Sequence, residues 1–298
     1  MFDVVIAGAG PAGLNAALVL GRCRRSVLLC DPGRPRNAVS RRVNGFLTRD
    51  GESPTTLLLL GREQLRRYDS VELLERSVVA AHHLDDRFAV TLSDGTNVRT
   101  RKLLVATGMV DQLPDLPGFR ELWGNGAYSC PYCNGWEHRD KPLAVYGPGP
   151  AAGDVALELT AWSKDIVLFT DGGGNLSPED CDRLAKHGIR VIEDQVESLI
   201  GNDRGLEAVR VTTGQVIPRS AIFVMNGEHQ RSDLAARLGY NPSTKDMVDT
   251  HDYEKTNVPG LYVAGDASRK LQFAVVAAAE GAMAAFAINT DLLREDLH

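Results

Sequence analysis

The chain has 298 residues, 43% of them hydrophobic, and a formal net charge of -6. That length buries a substantial core and suits two domains, and the acidic balance excludes a general nucleic-acid binder, which needs a basic patch. Five cysteines and no charged leader predict a cytoplasmic, reducing setting, where a close cysteine pair is catalytic or metal-binding rather than structural.

Short apolar runs alternate with helical patterns along the chain. "DVVIAGAG" reads as a buried parallel strand, Pro11 to Leu20 as the helix leaving it, and "RSVLLCD" as the next strand. Ser53 and Pro54 supply an N-cap and a first helical position for "TTLLLLGREQLRRY". "FAVTLSDGTNV" predicts a hairpin turning at Asp94 and Gly95, and "KLLVATG" a further buried strand. After "LPDLPG" the pattern restarts: "KPLAVYGPGPAAGDVALEL" repeats strand, glycine turn and helix, and "DIVLFTDGGG", "GIRVIED" and "AIFVMNG" continue it. A break is expected around "GYNPSTKD", before the strand in "PGLYVAGD". The last apolar run is Ala-rich and interrupted by Glu280, which predicts a buried helix and no membrane span.

The expected fold class is therefore α/β, with two Rossmann-like, three-layer nucleotide-binding domains. The first domain is discontinuous, 1–113 and 244–298, and the second, 114–243, carries the cysteine pair.

Gly8, Gly10 and Gly13 follow a predicted strand and open a predicted helix with Pro11 and Ala12, and Asp31 ends the next strand. This is the full context of a dinucleotide fingerprint: small residues admit the pyrophosphate, the helix N-terminus offers N–H donors and the acid accepts from ribose. FAD is favoured over NAD by Ala106, Thr107 and Gly108, and by Gly265 and Asp266, which end two further strands. Asp266 is placed to accept from a ribityl hydroxyl. The helix starting near Gln272, Phe273 and Ala274 would aim its positive end at the flavin.

Cys130 and Cys133 in "SCPYCNGWE" have three readings: a redox dithiol, half of a metal site, or inert packing. A C-x-x-C pair opening a helix has its first thiol pKa lowered from about 8.5 into a range of roughly 3.5–7.5. Zinc would want two more ligands at matching spacing. Cys23, Cys30 and Cys181 form no second pair and His138 stands alone, so no metal is expected and these three cysteines are assigned to packing.

Taken together, "GAGPAG", "VATG", "CPYCNGWE" and "YVAGDA" resemble the low-molecular-weight thioredoxin reductase family of FAD-dependent disulfide oxidoreductases. "DPGRPRNAVSRRVNGFLTRDG" and "WGNGAYSCPYCNGWEHRDKPL" point to the branch holding dithiol oxidases and pyridine-nucleotide-independent, diflavin disulfide oxidoreductases. The resemblance implies a homodimer, with Cys133 facing the flavin and Cys130 exchanging with substrate.

The chain departs from that pattern in two places. Asn134 stands where thioredoxin reductases carry an Asp that protonates the leaving thiolate, and Tyr132, Glu137 and His138 nearby are expected to be solvated. Gly147, Gly149 and Ala152 form a second glycine turn, but Pro148 and Pro150 remove donors, and Thr170-Asp171-Gly172 replaces the His-Arg-Arg that holds a 2′-phosphate. Losing two charge-assisted contacts of about 1.5 kcal/mol or more each weakens NADPH on the order of a hundredfold. Usual NADPH use is therefore not expected. NADH, a second adenine nucleotide or a second FAD, or a vestigial site stay open. Arg34, Arg36, Arg41 and Arg42 could meet an FAD phosphate or an acidic protein partner but are expected to be solvated, and Leu57 to Leu60 are expected to serve core and dimer surface rather than a ligand groove.

The first functional reading is an FAD-dependent thiol/disulfide oxidoreductase that works without NADPH, on a dithiol or disulfide that is a small molecule or a thioredoxin-like protein, passing electrons to oxygen, ferredoxin or a second flavin. The alternatives are an NAD(P)H-dependent thioredoxin reductase and a flavin-bound redox sensor or docking protein.

Overall fold

The computed structural model describes residues 1–173, 175–225, 227–240, 248, 250 and 252–298. They form two compact units: Met1–Ala38, Gly45–Val110 and His229–His298 make the first, Val39–Asn44 and Asp111–Glu228 the second.

The first unit opens with β1 (Phe2–Ala7), α1 (Pro11–Arg22) and β2 (Val27–Cys30). Val4, Val5 and Ile6 are fully buried, as a parallel strand covered on both faces requires. Ser53 caps α2 (Pro54–Leu65), its Oγ accepting the Thr56 N–H at 3.0 Å. Then come β3 (Val71–Leu74), β4 (Val78–Leu84), β5 (Arg87–Leu92) and β6 (Asn97–Val105), with the expected Asp94–Gly95 turn joining β5 to β6. The sheet runs β3-β2-β1-β6-β5-β4, parallel from β3 to β6 and antiparallel beyond.

After β7 (Met109–Gln112), the second unit builds α3 (Phe119–Leu122), β8 (Ala127–Tyr128), α4 (Pro131–Asn134), β9 (Leu143–Tyr146), α5 (Gly149–Glu158), β10 (Ile166–Phe169), α6 (Pro178–Lys186) and β11 (Arg190–Ile192). A meander of β12 (Val196–Asn202), β13 (Gly205–Val211) and β14 (Val216–Pro218) precedes β15 (Ala221–Val224). The parallel sheet is ordered β11-β10-β9-β15-β8. Leu143 and Val145 of β9 join the core that includes Ala152 and Ala156 of α5, while Ala144 joins the core that includes Val209 of the meander. This alternation makes the three layers.

β16 (Gly227–Gln230) and α7 (Leu234–Arg237) lead back to β17 (Leu261–Val263) and α8 (Ala274–Leu297). β17 pairs in parallel with β6, so the tail completes the first sheet. The unit boundary lies at Glu228 rather than at 243, because Leu234, Ala235 and Leu238 fill the core beneath Phe88 and Val90. Each of the two leucines contributes about 1.5–3 kcal/mol on full burial. The "GYNPSTKD" break falls on 239–246, of which 241–246 lie outside the described residues. By length and composition α8 could cross a membrane, yet Ala277, Ala284, Ile288 and Leu292 share a core with Ala12, Ala16 and Leu20 of α1.

Candidate active site

Register brings the predicted cofactor residues together. Ala7 lies opposite both Cys30 and Val105, and Val105 opposite Val263, so β2, β1, β6 and β17 end in line at their carboxyl edges. Asp31, Gly8, Ala106 and Ala264 therefore follow side by side, where α/β sheets bind ligands. Gly8 is obligatory: its φ is 106°, and an added Cβ would stand 2.3 Å from the Ala106 carbonyl oxygen. Gly13 lets the first turn of α1 close on Gly8, and the buried Ala12 lies against Gly265 and Gly281. At Gly10, just before Pro11, an added Cβ would meet nothing within 4 Å, which leaves an open cradle at a helix N-terminus.

The Thr107 Oγ1 is buried without a hydrogen-bond partner, as expected of a hydroxyl that faces a bound polar group. Gly108 follows it in a left-handed turn. Asp31 accepts from the Arg62 guanidinium at 2.7 Å. Arg36, expected to be solvated, donates to the Asp266 carboxylate at 3.0 Å and to Gln272 Oε1 at 2.5 Å. Phe273 directly precedes α8, whose first residue is Ala274. These residues fit a dinucleotide such as FAD: open backbone donors, one orphaned hydroxyl, and an acid for the ribose.

The sequence reading missed the support behind Gly265. Glu280 accepts the Gly265 N–H at 2.7 Å and pairs with Arg269 Nε at 2.7 Å, and Arg269 Nη2 reaches the fully buried Glu254 at 2.8 Å. Burial raises the Glu280 carboxyl pKa against the opposing pull of the Gly265 N–H and Arg269. The available signal was one glutamate inside an Ala-rich helix.

In the second unit Cys130 and Cys133 form a disulfide with a Cα–Cα distance of 5.3 Å. Cys130 is the N-cap of α4, Pro131 is its first residue, and the Cys133 N–H donates to Cys130 Sγ at 3.1 Å. That hydrogen bond favours an anionic sulfur at Cys130 once the pair is reduced. Asn44 Nδ2 donates to the Cys133 carbonyl at 2.7 Å. The Trp162 ring packs on Gly135, where an added Cβ would come within 2.7 Å of it, and the ring meets Tyr132 edge-on at 5.6 Å. Trp136 is 64% exposed beneath the Arg139 guanidinium, 4.2 Å from its ring centroid.

Tyr132 is exposed as expected, but Glu137 and His138 are half-buried. His138 Nε2 lies 3.2 Å from the Tyr128 hydroxyl, while its Nδ1 is buried and unpartnered. Burial, and then the Lys141 charge, push His138 down to about 4, so it is neutral near pH 7. Among the remaining cysteines, Cys30 alone fits the packing assignment: burial, then the Glu72 charge, push its thiol up to about 12. Cys23 and Cys181 are exposed.

The second glycine turn repeats the first in outline. Gly147 N–H donates to the Phe169 carbonyl at 3.1 Å, as Gly8 N–H does to Cys30 at 2.7 Å. Pro148 is the N-cap of α5 and offers no N–H. Asp171 accepts from the Tyr146 hydroxyl at 2.7 Å and the Val196 N–H at 2.8 Å.

A family model described as pyridine nucleotide-disulphide oxidoreductase matches residues 2–281. A relative from Arthroderma benhamiae, described as "Probable thioredoxin reductase", is 31% identical over 300 residues, covering 90% of this chain and 74% of its own. The crystal structure of HlmI superposes with a TM-score of 0.95 at 40% identity, covering 99% of this chain and 94% of its own. That of thioredoxin reductase from Streptococcus pyogenes gives 0.90 at 25% identity, covering 99% of each chain.

Proposed function

The chain belongs to the pyridine nucleotide-disulphide oxidoreductase family, and we propose that, as one of its thioredoxin reductase-like, FAD-dependent disulfide oxidoreductases, it carries two electrons between FAD, the Cys130–Cys133 pair and a substrate disulfide, with a reduced pyridine nucleotide as the electron source. The observation that carries this reading is the Cys130–Cys133 disulfide at the head of α4. The relatives, named thioredoxin reductases, favour the nucleotide-dependent alternative over the NADPH-independent reading with which the sequence opened.

A flavin held there would supply two-electron transfer to and from the disulfide. In the reductase direction the Cys130 thiolate attacks the substrate disulfide, forming a mixed disulfide and releasing one substrate thiolate. The Cys133 thiolate then attacks Cys130 Sγ, which releases the second thiolate and restores the Cys130–Cys133 bond. The substrate gains two electrons and the enzyme dithiol loses two. Asn134 cannot supply the protons and His138 is neutral near pH 7, so solvent protonates the departing thiolates. Gly8 to Gly13, Thr107, Asp31 and Asp266 would hold the flavin. A thioredoxin-like protein disulfide is the substrate class that the relatives' names support.

One observation favours a second reading, a dithiol oxidase that needs no nucleotide: Pro148 and Asp171 stand where a nucleotide site would place donors and cations. An anaerobic titration decides between them. NADH or NADPH bleaches the flavin within the enzyme's turnover time if the first reading holds. Bleaching by a small dithiol alone, with peroxide formed on readmitting air, would establish the second.

A further inference from the structure

The two glycine turns of this chain can be superimposed residue by residue through their hydrogen bonds. Ala7 ends β1 opposite Cys30, and Tyr146 ends β9 opposite Phe169. The Asp31 N–H donates to Leu74 and the Thr170 N–H donates to Ile192, each at 3.0 Å. Tyr146 thus takes the place of Ala7 and Thr170 that of Asp31, with Asp171 one position further on. In such units the acid after the second strand accepts from the ribose hydroxyls.

Asp171 stands one residue past that position, next to the buried Thr170. Its two oxygens are held by groups on different elements, Tyr146 of β9 and Val196 of β12. A carboxylate offers about four acceptor sites, so two remain, and the residue is exposed. Both of these partners are neutral, whereas Asp31 is paired with Arg62 at 2.7 Å. A phosphate brought within about 4 Å of this exposed carboxylate would be repelled by about 1 kcal/mol in water.

We propose that Tyr146 and Asp171 set the nucleotide choice of the second unit: Tyr146 positions the Asp171 carboxylate to accept from a ribose 2′-hydroxyl and to repel a 2′-phosphate, so that NADH rather than NADPH serves the reaction. This deepens, and rests on, the pyridine-nucleotide reading above. Tyr146 is a positioning residue, and the phenyl ring of Tyr146→Phe would keep the packing while freeing one carboxylate oxygen.

The test is calorimetric binding of ADP-ribose and of its 2′-phosphate to the flavin-loaded protein, which reads nucleotide recognition without turnover. Wild type is expected to bind ADP-ribose at least about tenfold more tightly, one charge-assisted hydrogen bond's worth. Asp171→Asn, which keeps an acceptor but loses the charge, should bring the two within about threefold. Tyr146→Phe should weaken ADP-ribose several-fold and leave the 2′-phosphate unchanged. Equal affinities in wild type, tighter binding of the 2′-phosphate, no binding of either, or an unaltered ratio in both variants would overturn the proposal. Anaerobic flavin bleaching separates the two failures: equal rates with NADH and NADPH overturn the selectivity alone, and bleaching by neither overturns the pyridine-nucleotide reading itself.

Discussion

The two glycine-turn units share a backbone plan and differ in what they present at the strand ends. In the first, Ala7 leaves the edge clear, Gly10 leaves an open cradle, Thr107 carries an orphaned hydroxyl, and Asp31 is neutralised by Arg62. In the second, Tyr146 occupies the strand end, Pro148 removes a donor, and Asp171 accepts from two neutral groups, the Tyr146 hydroxyl and the Val196 N–H. The difference teaches that the glycines fix only the turn. Under the proposed function, the residues beside them decide whether a nucleotide is held as a resident cofactor or met as a passing reactant.

The largest expected effect falls on the dithiol, which belongs to one unit only. Cys133→Ser leaves Cys130 without a resolving partner and should lower disulfide turnover on the order of a thousandfold or more, measured at steady state, while flavin content stays at the wild-type level. The next test strikes the two turns in parallel. Gly8→Val drives a side chain into the Ala106 carbonyl and should strip the flavin, read as the ratio of flavin to protein absorbance. Gly147→Val, which presses on Met225 in the second unit, should keep it. Loss of flavin from both variants would break the comparison.

Glu280→Gln sharpens it from behind, because the second unit has no counterpart among the described residues to the Glu254–Arg269–Glu280 chain. The variant leaves Arg269 its contact with Glu254. Arg269 also reaches solvent, so the cost should be about 2 kcal/mol rather than the 3–5 of a wholly buried broken pair, read by denaturant unfolding of the flavin-loaded protein. The smallest effect concerns His138. Its folded pKa is lowered from 6.5 to about 4, so between those values the unfolded chain binds a proton that the folded chain refuses. Its contribution is full above about pH 6.5 and is lost as pH falls towards 4. Stability of wild type should drop over that window, and the slope should flatten in His138→Gln; identical slopes would contradict the assignment.

Much of this was legible in the sequence for local reasons. Both glycine turns, the Ser53 cap, the Asp94–Gly95 hairpin and the Cys130 helix start depend on neighbours within a few residues, and spacing reveals them. The pairs that finish the sites are remote in sequence. Arg36 with Asp266, Gly265 with Glu280, and Tyr146 with Asp171 meet only through strand order, and no periodicity announces them. The short meander of β12 to β14 alternates too briefly to be read with its register. Cys23 and Cys181 show the converse: composition assigns cysteine to the interior, and the fold leaves one just past the end of α1 and the other on α6, both exposed.

The measurement that tests the central claim most directly is an electron count. Under anaerobic reductive titration, wild type should accept about four electrons per chain, two at the flavin and two at the disulfide, and should expose two new thiols. The protein carrying both Cys130→Ser and Cys133→Ser should accept about two, with the flavin spectrum alone changing. An equal uptake by the two proteins would mean that the Cys130–Cys133 pair lies outside the electron path, and the account would fail.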